Sequence, residues 1–290
     1  MVMRTLLPVL TLLLAGAADA ADLQWKLNKG DRLSYNIQSQ MATSSTVAGF
    51  DSQSQVTQTM KMQWTVVDRA ADNTAIVEQT IRQIIIKMSP DGKSELRFDS
   101  AAKDRPQDPI VRSLGNVYGK IVDQKFQVWM APTGQIQDVR VPEGLLETLK
   151  TAAAGSPAGL DDEALKQLLS QTSVILPNRS VDIGDTWESA QSLELPFATI
   201  EMRPEMSLEE IRQGTATIGY RPSIQLVPKK NAPVQVTLKG SDGSGRIRFD
   251  VDRGRIVQMQ LNMNMDLVSI AQGRSVSQKV RQQTTMELAE

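Results

Sequence analysis

From Gln258 to Leu267 the chain alternates without a break. Met259, Leu261, Met263, Met265 and Leu267 are apolar, whereas Gln258, Gln260, Asn262, Asn264 and Asp266 are polar. A strand sends successive side chains to opposite faces, so this run predicts a long strand with one buried face and one wet, mostly uncharged face. Thr59–Val66 follows the same rule, with Met60, Met62, Trp64 and Val66 on one side and Thr59, Lys61, Gln63 and Thr65 on the other. Ile247, Phe249 and Val251 alternate with Arg246, Arg248, Asp250 and Asp252, a row of opposed charges that fits a solvated sheet surface. Turn chemistry punctuates these runs. Ser89-Pro90-Asp91-Gly92, Ala131-Pro132-Thr133-Gly134 and Asp252-Arg253-Gly254 each supply a glycine to close a tight hairpin.

Helical spacing is concentrated in the middle of the chain. One segment, 143–154, places Leu145, Leu146 and Leu149 on one face just after Pro142. A second, 160–171, does so with Ala164, Leu165, Leu168 and Leu169, and carries Asp161 and Asp162 where negative charge suits a helix start. Ser207 and Glu210 have capping-box spacing, but the alternation that follows favours a strand there.

Three short signatures occur twice in the same order. Gly30-Asp31-Arg32-Leu33-Ser34-Tyr35 is echoed by Gly184-Asp185-Thr186-Trp187, and Asn73-Thr74-Ala75-Ile76-Val77 by Gly214-Thr215-Ala216-Thr217-Ile218. Trp129 through Gly134 to Ile136 is echoed by Phe249 through Gly254 to Ile256. The expected fold is therefore mainly β, with antiparallel curved sheet in two related halves and one or two helices between them. The expected boundaries are a first β half over 21–142, a helical connector over 143–176 and a second β half over 177–290.

The first twenty residues read as a secretory signal peptide. Arg4 gives a positive start, Leu6–Leu14 is an apolar run, and Ala18-Asp19-Ala20 puts small residues at −3 and −1 of a cleavage point. That run is too short to span a bilayer, and no later stretch resembles a transmembrane helix. The expected location is periplasmic or secreted, after cleavage near Ala20. Composition then narrows the chemistry. The chain has no cysteine and no histidine. That excludes a disulfide framework, iron–sulfur clusters, a lipid-modified cysteine, an imidazole general base and the common zinc sites. A net charge of −1 argues against nucleic-acid binding, which needs a basic footprint.

Trp25-Lys26-Leu27-Asn28-Lys29-Gly30-Asp31 and Val181-Asp182-Ile183-Gly184-Asp185-Thr186-Trp187, behind an export signal, resemble an exported bacterial family of unknown function of the DUF6263 type. The resemblance implies compartment and fold and carries no activity or site residues. More distantly, the expected curved sheet with helices laid against it is similar in plan to periplasmic lipoprotein carriers of the LolA and LppX kind, a fold-level analogy.

Several motifs offer chemistry and a plainer alternative. Met60 with Met62 and Met263 with Met265 each place two thioethers on one strand face, a donor type suited to Cu(I). They lie in apolar rows with Trp64, Leu261 and Leu267, where methionine is adaptable filler or cavity lining. Ser100-x-x-Lys103 has serine–lysine spacing without its partner motifs, and reads as a charged loop with Asp99, Asp104 and Arg105. Lys239–Arg246 is glycine-rich but lacks the ending of a phosphate loop and reads as a flexible connection. Asp250-x-Asp252-x-Gly254 opens like a calcium loop without the later ligands, and reads as a hairpin turn. Asn178-Arg179-Ser180 fits a glycosylation acceptor.

No catalytic residue, cofactor site or metal site is expected. The expected function is non-enzymatic: binding of lipid or another apolar ligand on a face formed by Met60, Met62, Trp64, Met259, Leu261, Met263 and Met265. A protein-interaction module of the cell envelope, using wet faces or sheet edges, is the alternative. A hydrolase built from carboxylates alone is a third reading.

Overall fold

A computed structural model of the chain describes residues 20–90, 92, 94–103, 107–145, 174–195, 197–230, 232, 234–271 and 273–289. The expected signal peptide and the expected helices over 143–154 and 160–171 lie outside these residues, apart from Ala20 and the 143–145 start. The first stretch of the chain folds into β1 (Arg32–Val47), β2 (Phe50–Arg69), β3 (Ala75–Ser89), β4 (Leu96–Asp99), α1 (Pro109–Ile121), β5 (Lys125–Met130) and β6 (Ile136–Arg140). The second contains β7 (Thr186–Glu188), β8 (Gln191–Glu194), β9 (Ala198–Met202), β10 (Glu205–Arg212), β11 (Thr215–Arg221) and β12 (Ile224–Pro228). It ends with β13 (Val234–Asp250), β14 (Arg255–Ala271) and β15 (Arg274–Ala289).

The main sheet is open and antiparallel, in the order β6-β5-β3-β2-β1-β15-β14-β13-β11-β10-β7, with β4 added on β3. Its two edges are short strands, which limits unpaired backbone at either end. A separate three-stranded sheet runs β12-β9-β8. The order has an internal correspondence. On one side of the β1–β15 seam the strands run β6-β5-β3-β2-β1, and beyond β15 they run β14-β13-β11-β10-β7. Both runs descend in chain order, so β1 matches β7, β2 matches β10, β3 matches β11, β5 matches β13 and β6 matches β14.

The three paired signatures fall at matching places. Gly30 and Gly184 adopt φ of 94° and 97° where the chain turns into β1 and β7, a conformation open to glycine. The Gly30 N–H donates to the Val66 carbonyl at 2.9 Å, and the Gly184 N–H to the Leu208 carbonyl at 2.8 Å. The Asp31 and Asp185 carboxylates accept from the Asn28 and Asp182 amides at 2.9 and 3.3 Å.

The core gathers at one end of the sheet. Leu33 and Tyr35 of β1, Trp64 and Val66 of β2, Val77 of β3 and Val128 of β5 meet Leu208, Ile218, Ile247 and Phe249 from the other side of the seam. An extended strap, Leu23–Leu27, lies across this end with Leu23, Trp25 and Leu27 buried. Trp25 packs 5.8 Å from both Trp64 and Phe249, ring centre to ring centre, so one indole joins the two sides. The strap also ties corresponding hairpins: its Trp25 N–H donates to Pro132 O at 2.8 Å and its Lys26 N–H to Gly254 O at 3.0 Å.

One sequence expectation changes. The glycine-rich stretch 239–246 is strand rather than flexible connection, lying inside β13 with a register shift between Leu238 and Gly240. Its glycines permit close packing. A Cβ on Gly243 would sit 2.6 Å from the Asn262 carbonyl oxygen and 2.6 Å from Pro222 Cγ. The described helix, α1, is additional to the two expected helices and lies between β4 and β5. Asp108 caps it, its carboxylate accepting from the Ile110 and Val111 amides at 2.8 and 3.2 Å, and Pro109 occupies the first turn. Gly115 and Gly119 weaken its propensity, but tertiary packing overrides that. Val111, Leu114 and Tyr118 pack on a second cluster around Ile84, Ile86 and Phe98.

Candidate ligand-binding face

Beyond the core, β1, β2, β13, β14 and β15 continue as a broad two-faced extension. The register decides which side chains share a face. Met60 pairs with Ile37, Ile37 with Met286, Met286 with Met259 and Met259 with Ile247. Four residues farther from the core, Val56 pairs with Met41, Met41 with Gln282, and Gln282 with Met263. Because Ile247 and Trp64 belong to the core, all seven predicted residues lie on the core-side face. Trp64 sits within the core itself, while Met60, Met62, Met259, Leu261, Met263 and Met265 are half-buried.

The register also adds what alternation in single strands did not reveal. Between the two methionine-rich strands lie β1 and β15, which bring hydroxyls and amides to the same face. Gln282 Nε2 donates to Ser39 Oγ and to Thr284 Oγ1, both at 3.4 Å. Gln278 Nε2 donates to Ser45 Oγ at 3.4 Å. A neutral polar stripe therefore divides two apolar fields. From Ile37 to Val47 on β1, Val56 to Trp64 on β2 and Met259 to Leu267 on β14, the positions of this face carry no charge. The charges go to the opposite face, as Lys61, Asp266, Lys279 and Arg281.

Each single-site chemistry meets a structural answer. The Met60 and Met263 pairs are separated by two intervening strands, roughly 14 Å at ordinary strand spacing, too far to share one ion. The Met62 thioether already accepts from Trp64 Nε1 at 3.1 Å. The Ser100 hydroxyl accepts from the Ile84 amide at 3.0 Å, which uses it to end β4. Asp250 Oδ1 accepts from the Arg253 amide at 2.8 Å, closing the β13–β14 hairpin. Among the described residues, no group of three or more carboxylates could hold a metal ion.

Hollows occur on the polar face. One of about 370 Å3 is lined by Glu205, Glu209, Arg221, Arg246, Gln260 and Asn262. Its carboxylates are each engaged by an arginine, Glu205 with Arg221 at 2.5 Å and Glu209 with Arg246 at 3.2 Å. Another of about 370 Å3 is lined by Gln38, Gln40, Gln55, Thr57 and Thr59. Met263 borders a third, together with Asn262, Asn264 and Gln283. No helix among the described residues is long and apolar enough to cross a membrane.

A wide, open antiparallel sheet with a charge-free face defines the class of fold. The chain belongs to the DUF6263 family, described as a family of unknown function, whose model matches residues 72–268. No curated protein matches it. Among solved structures it is similar to lipovitellin, in a structure concerned with lipid–protein interactions, at 11% identity and a TM-score of 0.52. That match covers 91% of this chain and 26% of lipovitellin's, so the chain spans about a quarter of its neighbour. An outer membrane channel from Pseudomonas putida F1 matches at 6% identity over 94% of this chain and 100% of its own, with a TM-score of 0.28. A DUF1329 family protein from Desulfovibrio piger matches at 9% identity over 84% and 83%, with a TM-score of 0.15. The lipovitellin match shows shared fold.

Proposed function

We propose that the protein is an exported, non-enzymatic envelope protein that binds a lipid or another apolar ligand on the core-side face of its sheet extension. One observation carries the reading: a face several strands wide that bears no charge beyond the packed core. A charged group placed there would lose hydration without a partner, whereas acyl chains would cover Met263, Met265 and Leu267 favourably. Methionine suits such a surface because its side chain adapts to irregular partners. The neutral stripe of Ser39, Gln282 and Thr284 offers hydrogen bonds to an ester or hydroxyl. The lipovitellin likeness supports the fold side of this reading. The matched strand orders support descent of the two halves from a duplicated unit.

Native mass spectrometry of protein gently purified from its own host tests the proposal. Bound lipid is expected, and Met263→Asp with Met265→Asp is expected to release it while leaving the far-ultraviolet circular dichroism unchanged. A clean mass of the unliganded chain overturns the reading. The hollows of the polar face favour a second reading, a module whose Gln- and Thr-rich surface contacts another envelope component. That reading predicts a partner recovered reproducibly from envelope extract and lost on substitution of Gln40 and Gln55, but not of Met263.

A further inference from the structure

We propose that the end of the sheet far from the core docks on the surface of an anionic lipid bilayer, with Val47, Phe50 and Ile270 entering the headgroup layer. This goes beyond the ligand-binding reading and does not require it. The two tips that carry these residues stand side by side, because β1 and β15 remain paired as far as Val47 opposite Val276. The β1–β2 hairpin also projects past its neighbour β3. Ser89, the last residue of β3, pairs with Gln55, so the strand continues roughly 17 Å farther to Phe50 at ordinary strand rise.

An apolar side chain at such a tip is costly in water. Phe50 is 80% exposed, Ile270 45% and Val47 39%. Small, uncharged residues stand between and beside them, including Thr46, Ala48, Gly49, Ser52 and Ser269, with Asp51 the acid next to Phe50. Exposed aromatic and aliphatic groups on neighbouring projecting loops fit a soft interface better than a flat, rigid one.

Charge points to the occupant. Arg274 sits in the β14–β15 tip, and Lys230 precedes the start of β13, where Val234 faces Ala271. Lys239, Lys279 and Arg281 follow on the polar face. Among the acids of this end are Asp51, Asp242 and Asp266, the last opposite Lys279 in register, and Glu194, which pairs with Lys229 beside Lys230; the first two have local hydrogen-bond partners. Asp51 accepts from Thr46 Oγ1 at 2.6 Å, and Asp242 accepts from Asn264 Nδ2 at 2.9 Å. A chain whose net charge is −1 thus places basic groups on the end that carries Phe50, the most exposed large apolar side chain among the described residues. That combination matches lipid phosphates above acyl chains.

Vesicle flotation of the purified protein tests the proposal. It is expected to float with vesicles of equal parts phosphatidylcholine and phosphatidylglycerol, less with phosphatidylcholine alone, and less as salt rises. Phe50→Ser with Ile270→Ser is expected to weaken binding by about tenfold or more. Lys230→Glu with Arg274→Glu is expected to abolish the preference for the anionic vesicles. Phe50→Trp, which keeps an aromatic tip, is expected to bind and to show a blue-shifted emission on vesicle addition. Flotation that is absent, or equal in the serine variant with unchanged circular dichroism, overturns the proposal. So does a concentration-dependent dimer that Phe50→Ser returns to monomer, which would assign the tip to a second copy. Flotation without co-purified lipid would remove the ligand-binding reading alone, and co-purified lipid without flotation would remove docking alone.

Discussion

Replacing Gly254 by alanine probes how the strap closes the core. Gly254 has φ of 60° in the β13–β14 turn, which costs an alanine about 1–2 kcal/mol. Space matters more. An added Cβ would overlap the Lys26 backbone nitrogen and lie 2.5 Å from Lys26 Cβ and Cγ. The strap must move away, losing the hydrogen bond from Lys26 N–H to Gly254 O, about 1 kcal/mol. Withdrawal also loosens Trp25 and Leu27, and each fully buried side chain of this size contributes about 1.5–3 kcal/mol. The expected loss is about 4–6 kcal/mol, a large share of ordinary domain stability. Gly184→Ala is the matched control. It also has positive φ, at 97°, but its Cβ would meet nothing within 4 Å, so about 1–3 kcal/mol of backbone strain is expected alone. Urea unfolding followed by tryptophan fluorescence compares them. Equal losses, within about 0.5 kcal/mol, would refute the claim that the strap is wedged against this turn.

The three tyrosines, Tyr35, Tyr118 and Tyr220, all have phenols pushed above the ordinary value by burial, Tyr35 most strongly. The folded state therefore keeps protons that the unfolded chain gives up. Stability should be complete below the unfolded tyrosine value of about 10 and fall as pH rises beyond it. Absorbance near pH 10 should show little phenolate in the native protein and much more in urea; equal titration in both would contradict the burial. Tyr35→Phe removes a buried hydroxyl that donates to the Ile256 carbonyl at 3.2 Å. It should cost about 1 kcal/mol in thermal unfolding, and a stabilised variant would refute that bond's contribution. Phe98→Ala should cost about 3–4 kcal/mol and raise amide exchange over α1, because Phe98 supports Val111 and Tyr118; unchanged exchange there would show that the helix is held by other contacts.

Alternation in the chain determined the strands and their wet and buried sides. Period two has one geometrical solution: Met259, Leu261, Met263, Met265 and Leu267 must share a face once the backbone is extended. The hairpin turns were readable for a related reason, since Gly134 and Gly254 supply backbone conformations that other residues adopt at a cost. The paired signatures occupy matching places in the strand order, and at Gly30 and Gly184 the turn and its backbone hydrogen bond correspond.

Pairing between distant strands was not readable. Nothing local says that β1 lies between β2 and β15, so the stripe of Ser39, Gln282 and Thr284 between two methionine fields appears only when the seam closes. The strand containing Gly240, Gly243 and Gly245 resembled a loop because its stability comes from β14 rather than from its own propensities. Helix α1 was hidden by Gly115 and Gly119, and it exists because Phe98, Ile84 and Ile86 offer an apolar surface from elements far from its own turns. The sequence by itself settled which side chains each strand turns inward, a property of one residue and its immediate neighbours. Tertiary structure decided which strands stand together, and so where the charge-free face and the projecting tips lie, because those depend on contacts between segments more than two hundred residues apart.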